Sequence, residues 1–299
     1  MTRLAPFELH RPGSVAEATE LLLELGDDAA FYAGGTEVLL LMKLGLGGFG
    51  QLVDVKRLGE LAGVTVDEAG TLRLGATATH RQIGRSPMVQ VGWPVLADIE
   101  SQVANIRVRT IGTLGGNLCF ADPHSDPATW LLAADARALL ALGERRRSLP
   151  VAEFLVGPWE TALEPGELLL GVEVPPLPEG SGMSHLRFAT HERPTATVSC
   201  LVRVVDGMVA EARVAVGSVG PRHARAPEAE ALVVGMPADR PDASLLRAAG
   251  EAAATVAEPD TDSNGSAEYK ADLVAVLVER AVRQAIARAT GAGASGGPT

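Results

Sequence analysis

Two stretches of this 299-residue sequence pair glycines with hydroxyl, amide and carboxylate side chains. The first is Phe31-Tyr32-Ala33-Gly34-Gly35-Thr36-Glu37-Val38. Glycine has no Cβ, so its backbone can take positive φ and approach a ligand closely. Successive N–H groups then form an anion-binding concavity, and a helix starting just after adds a favourable dipole. A pyrophosphate suits such a turn best, although the same residues also serve a plain chain reversal. The second stretch, Thr113-Leu114-Gly115-Gly116-Asn117, runs on to Ala121-Asp122-Pro123-His124-Ser125-Asp126. It adds a side-chain amide and two carboxylates, Asp122 and Asp126, groups that commonly hold ribose and ribityl hydroxyls. Neither stretch is a Rossmann G-x-G-x-x-G or a P-loop ending in Gly-Lys-Ser/Thr. Taken alone, these residues define two backbone nests with carboxylates nearby, compatible with a dinucleotide.

The elements that must position them are legible in outline. Ser14 to Gly26 reads as a helix, with Ser14 as N-cap, Glu17 completing a capping box and Gly26 as the stop. Phe31–Ala33 is a short apolar run before the glycine turn, and Glu37–Leu46 is helical after it. Strands are expected at Leu52–Val55, Gly63–Val66, Thr71–Gly75 and Gly166–Val174, and helices at Trp93–Val103 and Ala128–Ala134. Pro175 to Gly182, with three prolines and two glycines, is the clearest linker. Beyond it, Ala196–Val205 and Val209–Ser218 flank Asp206-Gly207, a hairpin signal. Helices are then expected at Ala226–Val234, Ser244–Ala257 and Tyr269–Arg288. The expected division is therefore 1–176, 183–290 and a flexible tail, 291–299.

Composition excludes several classes. Hydrophobic residues are 46% and charged residues 21%, an ordinary globular balance that leaves no room for wholesale disorder. A net charge of −11 argues against non-specific nucleic-acid binding. No signal-peptide pattern or spanning run is visible, so a soluble, cytoplasmic chain is expected. Two cysteines, Cys119 and Cys200, cannot supply the four thiolates of a zinc or iron–sulfur site. Both read as packed residues rather than redox thiols. His80 reads as a structural residue at a helix start, Arg145-Arg146-Arg147 as an exposed turn, and His124 and Lys43 as either solvated or near a ligand. The spacing shows no Ser–His–Asp arrangement and no metal-ligand cluster.

Several motifs in the same order carry a resemblance. Ala33-Gly34-Gly35-Thr36-Glu37, Met42-Lys43, Thr113-Leu114-Gly115-Gly116-Asn117 and Ala121-Asp122-Pro123-x-x-Asp126 resemble the FAD-binding medium subunit of the molybdenum hydroxylases, the family of xanthine dehydrogenase and aerobic carbon monoxide dehydrogenase. Phe7-x-x-x-Arg11-Pro12-Gly13-Ser14, Gly75-Ala76-Thr77-x-Thr79-His80 and Leu163-x-Pro165-x-Glu167-Leu168-Leu169 look like the family too, so the likeness covers nearly the whole chain. It implies an α+β fold: a p-cresol methylhydroxylase-type FAD-binding domain of two subdomains, followed by a smaller antiparallel-sheet plus helix domain of the carbon monoxide dehydrogenase flavoprotein type.

The resemblance also implies roles. Phe31, Tyr32, Ala33, Gly34, Gly35, Thr36, Glu37 and Val38 would wrap the FAD pyrophosphate and its adjoining sugar. Thr113, Leu114, Gly115, Gly116 and Asn117 would take the other side of the same phosphates. Asp126 would contact cofactor hydroxyls, Asp122 would support that loop, and Leu169 would make an apolar contact. Arg187 falls where relatives carry a lysine beside the flavin, with a one-residue offset that leaves Leu186 or His185 as alternatives. No side chain of the chain is expected to act as acid, base or nucleophile. The implied function is an oxidoreductase flavoprotein subunit in a heteromeric complex. Molybdopterin would sit on a large partner and 2Fe–2S clusters on a small partner. Electrons would pass from the clusters to FAD and on to an acceptor such as NAD, a quinone or oxygen. A stand-alone FAD-dependent reductase or oxidase, and a cofactor-less binding module on the same fold, are the alternatives.

Overall fold

The computed structural model describes residues 4–291, so the expected tail lies outside the described residues from 292 onward. In chain order the elements begin with β1 (Glu8–His10), α1 (Val15–Leu25), β2 (Ala29–Tyr32), α2 (Val38–Leu44), β3 (Gln51–Asp54), β4 (Val64–Val66) and β5 (Leu72–Gly75). A run of helices follows: α3 (His80–Arg85), α4 (Pro87–Gly92), α5 (Pro94–Gln102), α6 (Ile106–Ile111), α7 (Leu114–Phe120) and α8 (Asp126–Ala133). Next come β6 (Arg137–Leu142), β7 (Arg145–Pro150), α9 (Val151–Phe154), β8 (Leu155–Gly157), β9 (Glu160–Thr161) and β10 (Leu168–Val174). The chain closes with β11 (Ser181–Phe188), β12 (Ala196–Val205), β13 (Met208–Gly217), β14 (Ala224–Arg225), α10 (Pro227–Val233), α11 (Ala243–Val256) and α12 (Ala267–Ala289). The α+β class follows from mainly antiparallel sheets, one small parallel sheet and helices grouped apart from them.

Two compact units share the chain, and they are not separated by one cut. The first comprises residues up to Ala121 together with Arg137–Phe154 and Trp159–Val174. The second comprises Asp122–Ala136, Leu155–Pro158 and the residues from Pro175. In the first unit, β1, β3 and β2 form a parallel sheet in that order, and β4-β5-β10-β6-β7 form an antiparallel one. Ser14 caps α1 as expected, its Oγ accepting from the Glu17 N–H at 3.1 Å. The Glu17 carboxylate, however, accepts from Gly13 N–H at 2.7 Å rather than from the N-cap residue itself. Arg145–Arg147 belong to β7 and not to an exposed turn. Their charge is tolerated at the sheet edge because Arg147 makes a fork of two 2.6 Å bonds to the buried carboxylate of Glu167.

The second unit is a four-stranded antiparallel sheet, β11-β12-β13-β14, covered on both faces. Alternate residues Ala196, Val198, Cys200 and Val202 of β12 join Val214 and Val216 of β13 in an apolar core with α10, α11 and α12. Leu186 and Phe188 of β11 pack onto the same core. The opposite face carries Thr197 and Ser199, and there α8 packs, with Thr129 Oγ1 at 2.9 Å from Thr197 Oγ1. All eight residues of α8 are buried. Its close approach depends on Gly217, where a Cβ would run into Thr129 and His223. Cys200 is fully buried in the sheet, as its mid-strand position implied.

Candidate functional site

Within the first unit, β2 ends at Tyr32 and the chain turns through Ala33-Gly34-Gly35-Thr36 into α2. Gly35 has φ 74°, the left-handed region where any side chain is strained, and a Cβ there would meet the Tyr32 ring. Gly34 is restricted differently: its missing Cβ would press on the carbonyl of Ile111 and lie 2.8 Å from Gly112 Cα. The first glycine turn thus rests directly on the backbone entering the second. Phe31 through Val38 are all half-buried, neither sealed in the core nor open. Lys56 provides a cation beside this turn that sequence inspection did not single out. Its Nζ is 3.6 Å from the Tyr32 ring centroid and 2.9 Å from Asp54 Oδ1. Lys43, by contrast, is exposed in the last turn of α2.

The second glycine stretch is a helix start, not a loop. Thr113 is the N-cap of α7, its Oγ1 accepting from Gly116 N–H at 3.1 Å, so Gly115 and Gly116 fall in the first helical turn. Gly115 is required because a Cβ would lie 2.6 Å from the Ala76 carbonyl oxygen. A clamp from Ala76–His80 fixes the segment. Gly115 N–H donates to Ala76 O at 2.9 Å, Leu114 N–H to Ala78 O at 3.0 Å, and His80 N–H to Gly112 O at 3.1 Å. His80 is structural, as expected: its Nδ1 lies 2.6 Å from Glu100 Oε2, with the two side chains 3% and 0% exposed. As a residue Cys119 is exposed on α7, but burial of its thiol pushes the pKa up to about 12, which fits the expectation that it is not a redox thiol. Leu169 is buried in β10 beside a bulge that leaves the Leu170 carbonyl free to accept from Ala76 N–H at 2.9 Å.

The remaining candidates gather in the second unit, at the start of α8. Ser125 caps that helix through Ala128 N–H, and Asp126 is its first residue. Asp122 is fully engaged by protein groups. Its Oδ1 accepts from the His124 N–H at 3.0 Å and faces His124 Nδ1 at 3.2 Å, while Arg193 Nη2 lies 3.0 Å from Oδ2. Burial alone would raise the Asp122 pKa, but the His124 bonds and the Arg193 charge outweigh it and hold the carboxyl below its ordinary value. Asp122 therefore supports its own turn.

Asp126 sits between His185 and Arg187, adjacent outward positions of β11. Its Oδ1 is 3.5 Å from His185 Nε2 and its Oδ2 is 3.7 Å from Arg187 Nε. Strand alternation places Leu186 on the other face, against the helical core. His185 in turn meets Ser199, with Nδ1 at 2.7 Å from Oγ. Ser199, His185 and Asp126 thus lie in a row that sequence spacing did not reveal, although Ser199 is fully buried mid-strand and has no access to a substrate. His223 Nε2–H donates to the Ser125 carbonyl at 3.0 Å. Its burial lowers its pKa to about 4, so the ring is neutral at pH 7. Among the described residues, no group of three or more His, Cys, Asp or Glu could hold a metal, and no helix is long and apolar enough to cross a membrane.

The family model described as the FAD binding domain in molybdopterin dehydrogenase matches residues 5–177, and the carbon monoxide dehydrogenase flavoprotein C-terminal domain matches residues 186–285. The chain belongs to the FAD-binding medium-subunit family of the molybdenum hydroxylases. This medium-subunit chain is 32% identical to the carbon monoxide dehydrogenase medium chain of Hydrogenophaga pseudoflava, over 94% of its own length and 98% of the relative's. It is 29% identical to the xanthine dehydrogenase FAD-binding subunit of Escherichia coli O157:H7, over 94% and 97% of the two chains. A solved carbon monoxide dehydrogenase chain from H. pseudoflava superposes with a TM-score of 0.91 at 33% identity, covering 96% of this chain and 99% of that one.

The residues present fit an FAD. A left-handed Gly35 and a Gly34 with no room for a Cβ make the kind of backbone surface a diphosphate needs. In the second unit, taken by itself, the buried Asp126 Oδ1 carries no hydrogen bond among the described residues.

Proposed function

We propose that this chain is the FAD-carrying electron-transfer subunit of a molybdenum-containing dehydrogenase. It receives electrons from iron–sulfur clusters on a small partner subunit, which take them from a molybdopterin centre on a large one. It delivers them to an external acceptor such as NAD, a quinone or oxygen. The observation that carries this reading is the backbone contact of Gly34 with Ile111 and Gly112, which joins two glycine stretches belonging to a family of FAD domains. The chain's two cysteines cannot ligate a cluster of their own, which supports a division of labour between subunits.

Phe31 through Val38 would hold the diphosphate and its adjoining sugar through backbone N–H groups, and Thr113 through Asn117 would take the far side of the same phosphates. Asp126 would accept from a cofactor hydroxyl, Asp122 would fix the turn leading to it, and Leu169 would offer an apolar contact. Arg187 would supply the cation that relatives supply with lysine. Bound FAD contributes the redox chemistry of its isoalloxazine ring. The protein contributes position, charge and control of access.

The test is the visible spectrum of the purified chain before and after FAD is added. Oxidised-flavin absorption with the wild type, abolished by Gly35→Val in a variant with an unchanged far-UV spectrum, is the expected result. Flavin absorption retained by Gly35→Val would remove the first glycine turn from the site. A wild type that takes no FAD, alone or co-expressed with large and small partner subunits, would overturn the assignment. Flavin reduction on mixing the assembled complex with substrate, lost when the small subunit is omitted, would support the electron route.

A further inference from the structure

We propose that His185, oriented by Ser199, is a second ligand for the cofactor hydroxyl taken by Asp126; this rests on the FAD reading above. His185 and Asp126 side chains are 6% and 7% exposed, so neither is satisfied by bulk water. Yet His185 Nε2 and Asp126 Oδ1, 3.5 Å apart, both lack a hydrogen bond among the described residues. That separation is too long for a direct bond, and two buried polar atoms left this way cost stability unless something fills the gap. An oxygen about 2.8 Å from each, admitted by a small outward shift of either side chain, would satisfy both.

The chemistry of the pair selects what that oxygen is. Asp126 only accepts, and its carboxylate opposite Nε2 favours the imidazole tautomer with the proton on Nε2. Nδ1 is then an acceptor, and Ser199, 2.7 Å away, donates its O–H to it. Ser199 is 0% exposed at the register position directly opposite His185, so this bond is fixed by the sheet. The gap therefore presents one donor, Nε2–H, and one acceptor, Oδ1. A hydroxyl satisfies both at once, accepting from His185 and donating to Asp126. A phosphate oxygen has no proton to give, and an ammonium has no lone pair to offer. FAD carries such hydroxyls on its ribityl chain and on its ribose.

The test measures FAD affinity for the full chain with FAD and with analogues lacking one hydroxyl each, on the ribityl chain or on the ribose. One analogue should bind the wild type about tenfold more weakly than FAD, the scale of one lost hydrogen bond, and its identity tells the two sources apart. His185→Phe, which keeps the ring volume without the donor, should weaken FAD by about the same factor and erase the difference between FAD and that analogue. His185→Gln, which keeps an N–H, should recover most of the loss. Ser199→Ala, which frees the other tautomer, should weaken FAD in the same direction without lowering affinity for the analogue. If the gap holds water alone, every analogue binds the wild type like FAD, or the losses from His185→Phe and from hydroxyl removal simply add. Either result overturns the inference while leaving FAD binding intact. A wild type that binds no flavin overturns the parent assignment instead.

Discussion

A methyl group added at Gly34 would meet the Ile111 carbonyl and Gly112 Cα, and both are backbone atoms that cannot swing aside. Gly34→Ala should therefore cost about 2 kcal/mol of stability and weaken FAD at least tenfold, measured by urea unfolding and flavin titration. His223 makes a second prediction. Its folded pKa is about 4, against an ordinary 6.5, because burial opposes the charged ring. The unfolded chain therefore binds the extra proton first as pH falls. Stability should be full above about pH 6.5, decline by about 3 kcal/mol toward pH 4, and lose nothing further through this group below that. His223→Asn should flatten that segment of the pH–stability curve. At this scale the glycine pairs were legible, since only glycine tolerates those positions and its letter announces them. The row Ser199, His185 and Asp126 was not. It is assembled by strand register between β11 and β12 and by the docking of α8, and sequence separation carries no trace of either.

Elements were read from the sequence to within a few residues where periodicity and punctuation agreed. Asp206 and Gly207 have φ of 51° and 75°, both in the left-handed region, as a two-residue hairpin turn between β12 and β13 demands. Reading failed where tertiary contacts set the local structure. Gly115 and Gly116 suggested a loop, yet the Thr113 cap and the Ala76–His80 clamp make their segment helical. Arg145–Arg147 suggested a turn, yet Arg147 lies in β7 because Glu167 accepts its guanidinium there. Glu167 is 1% exposed at its side chain and Arg147 31%. Arg147→Ala should then leave a buried carboxylate short of its main partner and cost about 2 kcal/mol, below the range for a fully buried pair. Arg147→Lys should recover only part of that loss, since an ammonium cannot reproduce the two-pronged bond. Shifts in the denaturation midpoint at constant slope measure both.

Across the whole molecule, the chain passes between its two units five times, and the residues that cap and fill the second unit are drawn from its middle. Family-domain boundaries at 177 and 186 do not coincide with that exchange. A fragment covering 178–291 would retain the four-stranded sheet and α10–α12 but lose α8. The face bearing Thr197, Ser199 and Ser218 would then open to water. Such a fragment should keep helical far-UV signal while losing a cooperative thermal transition, the behaviour of a molten state. Adding a peptide covering 122–136 should restore a cooperative transition if α8 is what the fragment lacks.

The placement of α8 also sets an order of events during synthesis. Its eight residues leave the ribosome well before β12 and β13, the strands that will bury them, have been made. At about 5–20 residues per second, the interval is several seconds. Throughout it, Trp130, Leu131 and Leu132 belong to a nascent segment with no sheet to dock on. That interval is when this chain is most exposed to aggregation and most in need of a chaperone. Slower translation between codons 134 and 196 would lengthen it.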